Sequence, residues 1–511
     1  MTLSRRGFLS ALGCGVAATS LPGLAARGWG RSMPGAGADR MRDLAHDPLR
    51  PQYHLLPPHN WMNDPNGPIW WKGKYHLFYQ LNPEAAVWGD MHWGHAISTD
   101  MVHWRHEPIA LAPTPGGPDS EGCFSGSAVV YNGVPTVIYT GVQNAPPGEV
   151  TLHGGNGNDK LRETQLLATA EDSLLLHWQK QAAPVIAAPP AGMTVTGFRD
   201  PCPWHEDDGW YLAVGSGERG KGGCALLYRS QDLRQWEYLH PLVEGKPTGL
   251  AAANPVDSGD MWECPDFFAV DGRHCLLYST EGKVIWTTGD YDARTHRYMP
   301  KLQGVLDHGA YYAPKSFLAP GNRRILWGWI PETRPEAEFS AAGWAGAMSL
   351  PRMLGVDADG QLTMQVAAEV KKLRGARVRT VLQNKTSRHT LESLRQEIEL
   401  RTTPMTTTAS VRLRVDGSAV WELTLDFAGK AARCGDREFA LPALNPAEPA
   451  MRMFLDASFI ETFVGATQAI TSRCYQVEPG RTVLEVSAEG TGGSEFTRWQ
   501  LAPISPDRMT T

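Results

Sequence analysis

The sequence predicts an all-β protein, a five-bladed β-propeller followed by a C-terminal β-sandwich. Three observations predict it. Short apolar strands bounded by Gly, Pro, Asn and Asp run through the chain. A unit of strand, acidic turn and aromatic strand recurs. Near the C-terminus the pattern shifts to strict two-residue alternation. The 53 Gly and 38 Pro among 511 residues supply the punctuation that many short strands require.

The strands come first. Tyr75–Tyr79, Thr136–Tyr139, Trp210–Val214, Cys275–Tyr278 and Ile325–Trp327 are apolar runs ended by turn formers. The repeat follows: Ala96 to Asp100 leads to Trp104, Leu167 to Asp172 to Trp178, Leu227 to Asp232 to Trp236, and Ile285 to Asp290 to Tyr298. Units roughly 60 to 75 residues apart, with about four strands each, suit propeller blades. These four and a last unit near Ile325–Leu354 make five; the competing reading is an irregular sandwich with chance similarity. Past Gly360, residues 361–375 read as a short linking helix ending Ala368–Leu373, and Ala409–Val415, Trp421–Phe427 and Ile460–Val464 alternate as sandwich strands do. The expected division is a signal segment at 1–26, a flexible lead-in at 27–50, a propeller at 51–356, a linker at 357–375 and a sandwich at 376–505.

Composition narrows the class. A net charge of −6 with no long run of one sign argues against nucleic acid or an anionic membrane as partner. Ser4-Arg5-Arg6-Gly7-Phe8-Leu9, a mildly apolar stretch and Leu24-Ala25-Ala26 read as a twin-arginine-type signal peptide, and so as export to the periplasm or beyond with no membrane contact after removal. The alternative is an anchor, for which the stretch is short. The seven later cysteines include no Cys-x-x-Cys pair, so they read as buried thiols rather than a zinc site or a disulfide framework. His92, His95, His103 and His106 lack a matching acidic partner and read as structural, so no metal is expected; Gly154-Gly155-Asn156-Gly157 lacks the strand–helix setting of a phosphate loop. The 18 Trp offer flat faces for sugar rings, although core packing accounts for most of them.

Three acidic motifs stand in three different units. Asn63-Asp64-Pro65-Asn66-Gly67 is by itself more a turn than a site. Arg199-Asp200-Pro201 is either a salt bridge or a carboxylate held ionised by its Arg. In Met261-Trp262-Glu263-Cys264-Pro265-Asp266, Glu263 is either turned to solvent or desolvated, as a general acid needs to be. Blades aim their inner strands at one axis, so these carboxylates can converge there. Two carboxylates flanking a bond are the minimum for glycoside hydrolysis.

Together the motifs resemble glycoside hydrolase family 32, the invertases, levanases and exo-inulinases, from about His54 to Arg352. The resembling segments are Trp61–Gly67, Tyr75–Gln80, Trp88–Ala96, Phe124–Ala128, Phe198–Pro201, Trp262–Asp266, Trp327–Trp329 and Gly343–Arg352, in the family's order. The resemblance implies a β-fructofuranosidase acting on sucrose, levan or inulin with retention of configuration. Asp64 would be the nucleophile, Glu263 the acid/base and Asp200 the holder of the fructose 3- and 4-hydroxyls. Retention implies that the Asp64 and Glu263 carboxyls lie about 5–5.5 Å apart. Trp61, Asn63, Gln80, Trp88, Phe124, Ser125, Arg199 and Trp327 would line the fructose pocket, with no metal or organic cofactor. Leu455–Glu461 resembles the family's sandwich signature, and Asp90 stands where many fructan-cleaving members have Pro. A fructosyltransferase would use the same intermediate with a sugar as acceptor; a non-catalytic sugar-binding propeller would have lost a carboxylate, and none is missing.

Overall fold

The structure is a computed structural model and describes residues 43–152, 160–246, 259–382, 385–505 and 508. The expected signal segment, the lead-in before residue 43 and Gly154–Gly157 lie outside the described residues.

The chain is all-β. The first sheet is a meander of β1 (Asn60–Trp71), β2 (Lys74–Asn82), β3 (His92–Ser98) and β4 (Trp104–Leu111). Three more meanders follow: β5 (Gly122–Tyr131), β6 (Val134–Asn144), β7 (Leu161–Ala170) and β8 (Trp178–Lys180); β9 (Val195–Glu206), β10 (Gly209–Glu218), β11 (Gly222–Ser230) and β12 (Glu237–Glu244); β13 (Glu263–Val270), β14 (Arg273–Thr280), β15 (Lys283–Asp292) and β16 (Arg297–Val305). The fifth sheet holds β17 (Tyr312–Ala319), β18 (Arg323–Ile330), β21 (Arg352–Val356) and β22 (Leu362–Val366). The first strand of each sheet packs beside the first strand of the next, and β17 packs against β1. Between the fifth sheet and the first, β19 (Trp344–Ala345) pairs in parallel with β1 and β20 (Ala347–Met348) pairs with β18, so one short segment ties the last sheet to the first.

The recurring acidic turn now has a cause. Each lies between the third and fourth strands of a sheet, where an Asp side chain accepts from backbone N–H groups just ahead. Asp100 takes Val102 and His103, Asp172 takes Leu174 and His177, and Asp232 takes Arg234 and Gln235. In the fourth unit Asp292, not Asp290, does this. Such Asx turns give these backbone N–H groups a local partner and fix the chain's reversal.

Three expectations are corrected. The last unit begins not near Ile325 but at β17, a first strand that the sequence did not reveal, and it extends to Val366. The expected linker therefore contains β22, and its helical part is a 3-10 turn, Ala368–Leu373, with Val370 and Leu373 buried. Residues 43–50, expected as flexible lead-in, are packed: Leu44 is buried with Leu56, Trp344 and Phe459, and Asp47 accepts from the Trp344 indole at 2.6 Å.

Twelve strands from Arg374 to Leu501 form two six-stranded antiparallel sheets. Leu413, Leu423, Leu425, Ile460, Val464, Leu484 and Val486 fill the layer between them. Alternation within β31 (Phe459–Val464) serves two cores at once. Ile460 and Val464 face that layer, while Phe463 joins Leu350, Leu354 and Leu362 of the preceding sheets.

Buried charge joins the two halves. Arg352 meets Asp307 at 2.9 Å and Glu461 at 2.7 Å, and the His54 ring bridges Asp456 and Glu461 at 2.8 and 3.0 Å. Burial works against charge on His54, but the two carboxylates hold its pKa up at about 9. Arg352 and His54 in turn keep the Glu461 carboxyl below its ordinary range against the effect of burial.

Candidate active site

The first strand of each of these five sheets breaks register with its neighbour. The shifts fall between Met62 and Pro65, between Cys123 and Gly126, opposite Ala213 to Gly215 on β9, between Glu263 and Asp266, and between Tyr312 and Lys315. A β-bulge turns a side chain out of the sheet's alternation and bends the strand. Asp200, Cys264 and Ala313 sit at three of these breaks with φ of 65°, 49° and 48°, in the left-handed region that side chains ordinarily avoid. Strain of this kind, of order 1–3 kcal/mol per residue, persists only where surrounding structure holds it, commonly at functional sites.

Asp64 is fully buried. Its Oδ1 accepts from Asn63 Nδ2 at 3.1 Å, and its Oδ2 accepts from Ser125 Oγ at 2.5 Å and the Cys264 thiol at 3.4 Å. Asn63 is itself fixed by the Trp61 indole, which donates to its Oδ1 at 2.7 Å. Asp200 shares the thiol, 3.4 Å away, and its Oδ2 accepts the Cys264 N–H at 2.8 Å. The backbone of Asp200 is tied through Thr140 Oγ1 at 2.9 Å to Gln165 at 2.8 Å. Cys264 thus links two carboxylates from different sheets and is adjacent in the chain to the third.

Glu263 is 5% exposed and doubly held. Arg199 donates to its Oε1 at 2.9 Å through Nη2, and Tyr312 OH donates to Oε2 at 2.7 Å. The other end of the Arg199 fork donates to Glu163 at 2.8 Å, and Glu163 also accepts the Phe198 N–H at 2.7 Å. One guanidinium therefore spans two buried carboxylates, which compensates charge that burial alone would make costly.

The remaining residues are placed as follows. Phe124 packs with Trp61, Met91, Cys264 and Tyr312, and Trp88 meets it edge-on at 5.8 Å. Gln80 is buried and donates to Cys123 O at 2.8 Å. Trp327 does not join this group: it stacks on Phe317 at 5.6 Å and meets Trp104 edge-on, inside a separate core cluster. The tryptophan against Trp61 is Trp329, at 5.7 Å. The two point to the same side of β18, two residues apart, and differ in depth along the strand, which alternation alone does not resolve. Tyr312, Glu163, Thr140 and Gln165 were missed by the sequence reading. Tyr-Ala-Pro at 312–314 carries no acidic or Gly-rich signal, and Glu163 is one carboxylate in an ordinary strand. Among the described residues, no group of three or more His, Cys, Asp or Glu side chains is disposed to hold a metal ion.

Comparison with known proteins agrees with this architecture. Residues 54–366 match the N-terminal domain of glycosyl hydrolases family 32, and the chain belongs to that family. It is a glycoside hydrolase. It is 35% identical over 484 residues to a sucrose-6-phosphate hydrolase of Escherichia coli, covering 88% of this chain and 94% of that one. It is 34% identical to an Escherichia coli raffinose invertase, with 88% and 95% covered. Among solved structures, a Bombyx mori GH32 beta-fructofuranosidase superposes with a TM-score of 0.77 at 30% identity, over 92% of this chain and 97% of that chain.

Proposed function

We propose that the protein is a retaining β-fructosidase that hydrolyses the terminal non-reducing β-D-fructofuranoside of sucrose, and of levan or inulin as further substrates, through a covalent fructosyl-enzyme. The observation that carries the reading is the convergence of Asp64 and Asp200 on Cys264, beside a Glu263 clamped by Arg199 and Tyr312.

Asp64 Oδ attacks the anomeric carbon of fructose while Glu263 protonates the departing glycosidic oxygen. Glu263, now a carboxylate, then takes a proton from water as that water displaces Asp64, and the configuration is retained. Asn63 and Ser125 hold the Asp64 carboxylate in one rotamer, so attack needs no reorganisation. Arg199 and Tyr312 do the same for Glu263. Asp200 accepts the fructose 3- and 4-hydroxyls and faces the positive charge that develops on the ring. Trp61, Asn63, Gln80, Trp88, Phe124, Ser125 and Arg199 line the pocket, with Trp329 in place of Trp327. The four meanders and the fifth sheet form the blades of a five-bladed propeller that presents the site at its axis, and the two six-stranded sheets form the sandwich that follows it. Arg5-Arg6 and the stretch that follows support export of the enzyme by a twin-arginine-type signal.

Similarity to hydrolases, one named for sucrose-6-phosphate and one for raffinose, favours water over a sugar as acceptor. The test is product analysis on sucrose, levan and inulin, with Asp64→Asn beside the wild type. Free fructose is expected, with turnover in the variant down by several orders of magnitude, because water does not replace a positioned nucleophile. Retained turnover in Asp64→Asn would sink the mechanism, and kestose-type products would point to the transferase.

A further inference from the structure

We propose that Arg473, at the end of a strand of the C-terminal sheets, and Tyr475, in the turn just after it, are positioning residues for the active site, acting through Glu332 on the segment 331–346 that backs Trp61. This inference rests on the reading of Trp61 and Asp64 given above.

The connection can be followed atom by atom. Arg473 ends β32 (Gln468–Arg473). Its Nη1 donates to Pro331 O at 3.2 Å, and its Nη2 reaches Glu332 Oε2 at 3.4 Å, with both side chains buried. Tyr475 OH donates to Glu332 Oε1 and lies 3.0 Å from Thr333 Oγ1. Glu332 Oε1 also accepts the Thr333 and Arg334 N–H groups at 2.9 and 3.0 Å, and its Oε2 accepts Arg334 Nη2 at 2.7 Å. Burial pushes the Glu332 carboxyl up, but Arg473 and Arg334 outweigh it and hold the pKa at about 2, so the clamp stays charged across the working pH range.

From the clamp the segment runs into α1 (Glu336–Ala342), whose Phe339 lies 6.0 Å from the Trp61 ring. Gly343 O accepts the Asn60 N–H at 2.8 Å, Trp344 and Ala345 pair with Asn60 and Trp61, and Gly346 presses so closely on Met62 that a Cβ there would lie 2.0 Å from the Met62 carbonyl oxygen. Trp61 then holds Asn63, and Asn63 holds Asp64. The C-terminal sheets thus brace the back of the strand that carries Asp64.

The test measures kcat and KM on sucrose for Glu332→Gln, Tyr475→Phe and Phe339→Leu, singly and paired, well below each variant's Tm. Glu332→Gln and Phe339→Leu are each expected to lower kcat/KM about tenfold and Tyr475→Phe about threefold, mainly in kcat, since a small misplacement of a reacting group costs that much or more. The double variant Glu332→Gln/Phe339→Leu should be no worse than about the weaker single, because both act through one segment. Glu397→Gln serves as control: that glutamate is buried among Arg374 and Arg452 in the C-terminal sheets and touches nothing in the segment. It should lower Tm while leaving kcat/KM within about twofold. Unchanged kcat/KM in Tyr475→Phe, effects that multiply in the double variant, or an equal loss in Glu397→Gln would overturn the proposal. Turnover surviving in Asp64→Asn would instead overturn the site reading on which it rests.

Discussion

Raising the pH above neutrality should loosen the seam between the two halves of the protein, and His54 is the group that sets the window. Its ring nitrogens lie 2.8 Å from Asp456 Oδ2 and 3.0 Å from Glu461 Oε1. A neutral imidazole has one N–H, so only the imidazolium can donate to both carboxylates. Burial opposes that charge, yet the hydrogen bonds and charges of Asp456 and Glu461 bring the pKa to about 9, above the ordinary 6.5. A group whose folded-state pKa is raised contributes stability that is complete below its unfolded pKa and is lost as pH climbs through the folded one. The His54 contribution is therefore whole below about pH 6.5 and gone above about pH 9. At 1.36 kcal/mol per pH unit the difference amounts to about 3 kcal/mol. Urea unfolding of the wild type and of His54→Gln at several pH values from 6 to 10 reads it directly. The stability gap between the two should shrink by about that amount across the window. A gap that stays constant would refute the argument, because a neutral His54 would then be making the same contacts.

Two further outcomes follow from the site. Tyr312→Phe removes the hydroxyl on Glu263 Oε2 and keeps the ring. A hydrogen bond to a charged group is worth about 1.5–3 kcal/mol. Its loss disfavours the carboxylate, so the alkaline limb of kcat/KM should move up by about one pH unit; a limb that stays put or moves to lower pH would contradict the assigned contact. Gly126→Ala places a Cβ 2.2 Å from Ile138 O and 2.6 Å from Tyr139 Cα, backbone that has little room to give, beside the Ser125 that holds Asp64. Thermal unfolding should show a loss of about 1–3 kcal/mol, and activity should fall with it.

Local chemistry made much of this protein legible in its sequence. The apolar runs, the turn formers around them and the Asp at the third turn of the first three units are short-range signals, and they locate strands and turns without reference to the fold. The motifs holding Asp64, Asp200 and Glu263 were readable for the same reason, and so was the order in which they occur. What the sequence left undecided depends on depth and register. Whether Trp327 or Trp329 reaches Trp61, and that β17 is the strand bringing Tyr312 to Glu263, follow from bulges and strand pairings between residues far apart in the chain. The contacts of Glu163 with Arg199 and of Glu332 with Arg473 are of that kind too. A carboxylate's neighbours across sheets are set by packing, and packing leaves no local mark. The sequence by itself marked the three carboxylates proposed to carry the chemistry; the tertiary structure decided which residues hold them in place, because those contacts exist only once the sheets have packed on one another.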